Sequence, residues 1–189
     1  MKAFSGLKVE RASSREILPA GGYVARIMGC KEQEYTWGSV LVFSFDIAEG
    51  NYKDFFATDY KNNPSEDKRW RGTYRLNIPK DDGSEKDGWT KKTFGGAIWA
   101  IEDSNTGYHW DWNEGELKNK MVGVIFRNRE WEMNGKTGWT TECCSLESID
   151  NIRNNTYRTP KDRPLNNKVP ASARPIESFT EVSDDDLPF

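Results

Sequence analysis

Alternation of apolar and polar positions is clearest from Ser39 to Ile47, where Leu41, Phe43, Phe45 and Ile47 fall on one face and Val40, Val42, Ser44 and Asp46 on the other. That spacing predicts a strand with the first set turned to a core. The run from Gly22 to Lys31 alternates less cleanly but is rich in strand formers, so it predicts a preceding strand, joined to this one through the turn Tyr35-Thr36-Trp37-Gly38. Beyond Ala48-Glu49-Gly50-Asn51 the chain continues from Tyr52 to Asp59, breaks at Asn62-Asn63-Pro64 and resumes from Lys68 to Ile78. We read this as an interrupted third strand region. Within it Trp70, Tyr74, Leu76 and Ile78 share one face, and Arg69, Arg71 and Arg75 the other.

The period then changes. From Trp89 to Ile101, Phe94, Ala97, Ile98 and Ile101 recur at helical spacing despite the Gly95-Gly96 pair, which predicts one helix. Ser104 to Gly107 ends it, and an irregular passage with Trp110 and Trp112 follows. The segments Lys120–Trp131 and Trp139–Leu146 flank Asn134-Gly135-Lys136, a strong hairpin signal, and predict strands four and five. Three strands, a helix and two strands is the order of the mainly β, five-stranded OB-fold barrel, whose helix lies between strands 3 and 4. A generic β-barrel with an inserted helix has the same order. From Asn154 onward Pro, Asn, Arg and Ser dominate without periodicity, the composition of a disordered linker. The expected division is therefore an OB-fold domain over 1–152, a linker over 153–183 and a tip over 184–189.

Composition sharpens this division. Apolar residues at 35% and charged residues at 30% point to a chain that does not pack along its whole length. The net charge of −3 is unevenly spread. Residues 1–152 hold 21 Lys+Arg against 24 Asp+Glu, residues 153–175 hold 6 against 1, and residues 176–189 hold 0 against 5. A balanced body thus precedes a basic stretch and an acidic end. Three Cys (Cys30, Cys143, Cys144), two of them adjacent, give no sound disulfide pattern and fit a reducing cytoplasm. With one His and no CxxC pair, no zinc site can be assembled, and we expect no metal or other cofactor. The opening residues carry no apolar leader, and no run is long enough to span a bilayer, so the expected location is cytoplasmic.

The most specific signal is the end of the sequence, Asp184-Asp185-Asp186-Leu187-Pro188-Phe189. A terminal ring suits an apolar pocket, the terminal carboxylate suits an arginine, and the three Asp steer toward a basic rim. In these residues the chain resembles the bacterial and phage single-stranded DNA-binding proteins, whose acidic tails end in nearly this hexapeptide, usually with Ile at the place of Leu187. The resemblance implies that Asp184, Asp185, Asp186, Leu187, Pro188 and Phe189 recruit replication, repair and recombination proteins, with Phe189 as anchor. The body, in Phe45 to Tyr52, Ile101 to Gly107 and Lys120 to Val124, resembles a phage and prophage family of unknown function found among replication and recombination genes. That likeness implies a viral or prophage origin.

Binding a single strand takes cations for phosphates and rings for bases. For phosphates the sequence offers Arg69, Arg71 and Arg75, then Arg127, Arg129 and Lys136. For stacking it offers Tyr35, Trp37, Trp131 and Trp139 near the hairpin turns, with Trp70 and Tyr74 divided between stacking and core. Trp99, Trp110 and Trp112 are expected to cap or enter the barrel. No phosphate loop, nucleophile elbow or second His is present, so we expect no enzyme. Glu130, Glu132 and Glu142 are expected to pair with Arg and Lys rather than gather around Mg²⁺ as in a nuclease. The competing readings are an annealing or recombination-mediator protein and a carbohydrate-binding β-module.

Overall fold

The computed structural model describes residues 16–158 and 160–165. Five strands form one antiparallel sheet in the order β3-β2-β1-β4-β5: β1 Gly21–Tyr35, β2 Gly38–Ile47, β3 Thr73–Asn77, β4 Met121–Met133 and β5 Lys136–Glu147. Three helices accompany it, α1 Phe55–Asn62, α2 Glu85–Ser104 and α3 Ile149–Arg153, with a 3-10 turn at Glu114–Leu117. The edge strands β3 and β5 come into contact as the sheet curls, and no ladder joins them among the described residues. The core lies inside this curl. Phe43, Phe45 and Ile47 of β2 meet Ala25 and Ile27 of β1, Val122, Val124 and Phe126 of β4, and Ala97, Ile98 and Ile101 of α2. No described helix is long and apolar enough to cross a membrane.

Turn chemistry sets the two long hairpins. Asn134 and Gly135 both have positive φ, 51° and 74°, between the paired residues Met133 and Lys136, a two-residue turn whose twist matches its strands. Thr36 and Trp37 turn β1 into β2 between the paired Tyr35 and Gly38. A bulge places Cys144 out of register, since Ile125 pairs with Ser145 and Phe126 with Cys143. Beyond it Phe126 and Cys143 keep to the core side, while Arg127 and Glu142 share the other.

Four expectations change. The third strand region holds a helix, α1, and only five strand residues. Asp46 of β2 explains α1: its Oδ1 accepts from the Ile47 and Phe56 amides at 2.8 and 2.9 Å, and its Oδ2 from the Ala57 amide at 3.0 Å. The free amides of a first helical turn are thus capped by a carboxylate on a strand. Burial raises the Asp46 pKa, and the three amides offset part of that rise. Second, β2 is buried on both faces, since Val40, Ser44 and Asp46 are buried along with Phe43 and Phe45.

Third, α2 begins at Glu85, four residues before the expected start, where Ser84 accepts from the Asp87 amide at 3.1 Å. Fourth, the segment expected as a linker starts inside α3, and its described part lies on the sheet. The Arg163 amide donates to Asn128 O at 2.8 Å, and Arg163 O accepts from the Glu130 amide at 2.9 Å. Residues 161–165 thereby cover the β4 edge that β1, whose pairing stops at Phe126, leaves free. Composition could not show this, because the attachment runs largely through main-chain groups. Tyr157 adds a bond from the Gly22 amide to its hydroxyl, 2.9 Å. The expected tip, Asp184 to Phe189, and residues 166–183 before it lie outside the described residues.

Candidate nucleic-acid interface

Where β3 and β5 approach without pairing, a groove of about 850 Å³ opens. Arg75 and the preceding Arg71 stand at its β3 side, and Arg127, Arg129 and Arg163 at its β4–β5 side. The first three turns of α2 supply Lys86, Trp89, Thr90 and Thr93. Buried core residues, among them Leu18, Phe56, Leu76 and Phe126, form its apolar floor. Among the described residues, six cationic side chains therefore line the groove against a single carboxylate, Glu142. A cleft lined by one sign of charge over low-dielectric walls concentrates its field and draws the opposite sign.

Glu142 organises three of the six. Its Oε1 accepts from Arg127 Nε at 2.9 Å and Nη2 at 2.7 Å and from Arg163 Nη1 at 3.3 Å, while its Oε2 accepts from Arg129 Nη1 at 3.3 Å. Burial would raise the Glu142 pKa, but Arg127 and Arg163 outweigh it and hold the carboxyl below its usual range. One negative charge among three fixed guanidiniums leaves two positive charges in excess. Arg71 pairs with Asp59 at 3.1 Å. Burial pushes the Tyr74 phenol and the Cys143 thiol upward, so both stay neutral in the groove at physiological pH.

No protein-family model and no curated protein matches the chain. The geometry alone carries the reading of this site.

Of the twelve candidate contact residues, Arg71, Tyr74, Arg75, Arg127 and Arg129 line this groove. Arg69 is exposed but stands outside its lining. Trp70 is turned to the core: its ring packs against Phe56 and Tyr60, and its indole N–H donates to Phe45 O at 3.1 Å. Tyr74 also packs on the core, against Phe43. Their core reading is the one the geometry favours.

The remaining five candidates sit on the hairpin ends. Tyr35 and Trp37 stack on each other at 5.1 Å and 8°, with Trp37 55% exposed. Lys136 is exposed beside the Asn134-Gly135 turn. Trp131 lies over Gly138, where a β-carbon would come within 2.7 Å of the ring. Register puts Trp131 on the face of Arg129 and Arg127, and Trp139, paired with Glu130, on the opposite face. The two indoles therefore cannot form one platform.

Trp110 packs against the core, as expected, whereas Trp99 and Trp112 do not enter it. Trp99 is exposed on α2, and Trp112 is 78% exposed with its ring stacked on Phe94 at 11°. Glu142 is ion-paired, and the Glu130 carboxylate accepts from the Leu165 amide at 2.9 Å on the other face of the hairpin. Among the described residues no group of three or more His, Cys, Asp or Glu is placed to hold a metal ion.

Sequence reasoning missed Lys86, Trp89 and Arg163. For Lys86 and Trp89 a signal existed in the pattern Ser84-Glu85-Lys86-Asp87, a helix-start signature that sets α2 two turns ahead of its apolar stripe. For Arg163 no local signal existed, because its place depends on pairing with β4.

Proposed function

We propose that the chain binds single-stranded nucleic acid in the groove between β3 and β5, on an OB-type barrel left open at that seam. The strand order β3-β2-β1-β4-β5, with α2 between β3 and β4, supports the OB reading. The observation that carries the functional reading is the imbalance, among the described residues, of six cationic side chains against one carboxylate in a groove with an apolar floor. Phosphates need the first and bases the second. Arg75, Arg127 and Arg129 make the phosphate contacts, with Arg71 behind them. Trp37 at the β1–β2 turn and Trp131 and Trp139 at the β4–β5 turn offer rings to bases leaving the groove. The chain acts as a binding protein that covers single strands during replication and recombination. Its Asp184–Phe189 tip recruits partner proteins, as the likeness of that hexapeptide to the tails of single-stranded DNA-binding proteins suggests.

Titration of the full chain with an oligo-dT across a range of salt concentrations tests the reading. The logarithm of the binding constant should fall linearly with the logarithm of salt, by about 0.7 per phosphate neutralised. Replacing Arg75 and Arg129 together by Ala should weaken binding to every sequence alike and flatten that slope by about 1.4. An unchanged slope in a folded double variant would place the phosphates elsewhere.

A further inference from the structure

One side of α2 runs on beyond the part that packs on the core. Ala97, Ala100 and Ile101 are buried, and Thr93, Thr90, Trp89 and Lys86 continue the same face toward the N-terminus at spacings of three and four residues. There the sheet no longer covers the helix, and these side chains line the groove. Trp89 is therefore a large apolar ring at the margin of the buried face, in line with Ala100 three turns on, and it remains 64% exposed. A position of this kind elsewhere in a helix is filled by packing. Here the groove leaves it open, beside Lys86 and across from the arginines of β3 and β4. The Lys92 ammonium lies 5.7 Å from the centre of the Trp89 ring, adding positive charge at that end of the groove.

We infer that Trp89 is the groove's stacking platform for an unpaired base, so that the site selects nucleic acid with free bases over other polyanions. The inference rests on the nucleic-acid reading of the groove and names what within it discriminates. Arginines alone accept any chain of phosphates. A flat indole at the groove wall adds binding only when a ring can leave its stack and lie against it, which an unpaired strand allows and a duplex does not. The ring comes from the helix, not from the hairpin turns where the sequence places its stacking candidates. Base and phosphate recognition thus meet in one groove.

The test compares the full chain with Trp89→Ala and Trp89→Phe, by fluorescence anisotropy of labelled strands. The ligands are an oligo-dT and an abasic oligodeoxynucleotide of the same length and charge. Because Trp89 is largely exposed, both variants should fold, which circular dichroism checks. Trp89→Ala should weaken oligo-dT binding about 5- to 150-fold while leaving the abasic strand and the salt slope unchanged. Trp89→Phe should recover most of the loss. Equal losses on both strands, or a loss on neither, would overturn the stacking role while leaving the groove's phosphate role intact. If the unaltered chain binds neither strand in a salt-dependent way, the groove reading fails and this inference with it.

Discussion

Among the described residues Glu142 is the one carboxylate in a groove of cations, and two effects of its charge oppose each other. It holds Arg127, Arg129 and Arg163 in fixed directions, which favours the fold and prepares the groove. It also cancels part of the attraction for phosphates. Glu142→Gln should therefore bind oligo-dT several-fold more tightly at low salt, with a steeper salt slope, an outcome anisotropy titration reads directly. Its effect on stability should have the opposite sign. Because the folded-state pKa of Glu142 lies below the unfolded value near 4.3, its ion pairs stabilise the fold above that pH, and the contribution is lost as pH falls through the depressed pKa. Chemical denaturation at pH 7 and pH 3 should show the variant losing less stability on acidification than the unaltered chain. Equal losses would mean that the network contributes nothing to the fold.

Elements of this molecule owe their starts to distant groups as often as to local ones. α1 depends on Asp46, a strand residue ten positions before Phe56. Asp46→Ala would leave three amides without their acceptor in a buried setting, a cost of about 2–3 kcal/mol. Urea unfolding should show that loss, and the Phe56 and Ala57 amides should exchange with solvent sooner than those of β2. Unchanged exchange at these two amides would mean that the helix holds without the cap. The same dependence marks what could be read from the chain. Alternation exposed β1 and β2, and the Asn134-Gly135 turn signal located the hairpin of β4 and β5, because these signals are local. The inward Tyr74 and Leu76 and outward Arg75 of β3 were also legible. α1 was not, since nothing within Phe55–Asn62 announces a cap supplied by β2. The double burial of β2 escaped for a related reason: alternation assigns faces, while what packs on each is decided elsewhere in the chain.

At the scale of the whole molecule the groove draws on residues 17–18, 55–56, 71–77, 86–93, 126–129, 140–144 and 163, and only the curling of the sheet brings these together. Five of its members were among the candidates because their charge or ring type had drawn attention, yet no pattern along the chain could show that they face one space. Charge segregation, by contrast, is plain in the sequence, with five acidic and no basic residues from 176 to 189. Deleting Asp184 to Phe189 should leave oligo-dT affinity equal or slightly higher at low salt, and should abolish recruitment of host proteins in a pull-down. Lower affinity in the shortened chain would assign the tip to the strand itself. The attachment of residues 161–165 to β4 bears on a practical matter, the point at which this polypeptide can be shortened. A fragment stopped at residue 152, where composition changes, would lose Arg163 from the groove and uncover the amide of Glu130 and the carbonyl of Asn128. Bare strand margins invite pairing between molecules. Such a fragment would tend to self-associate, whereas one stopped after Leu165 would keep its margin sealed.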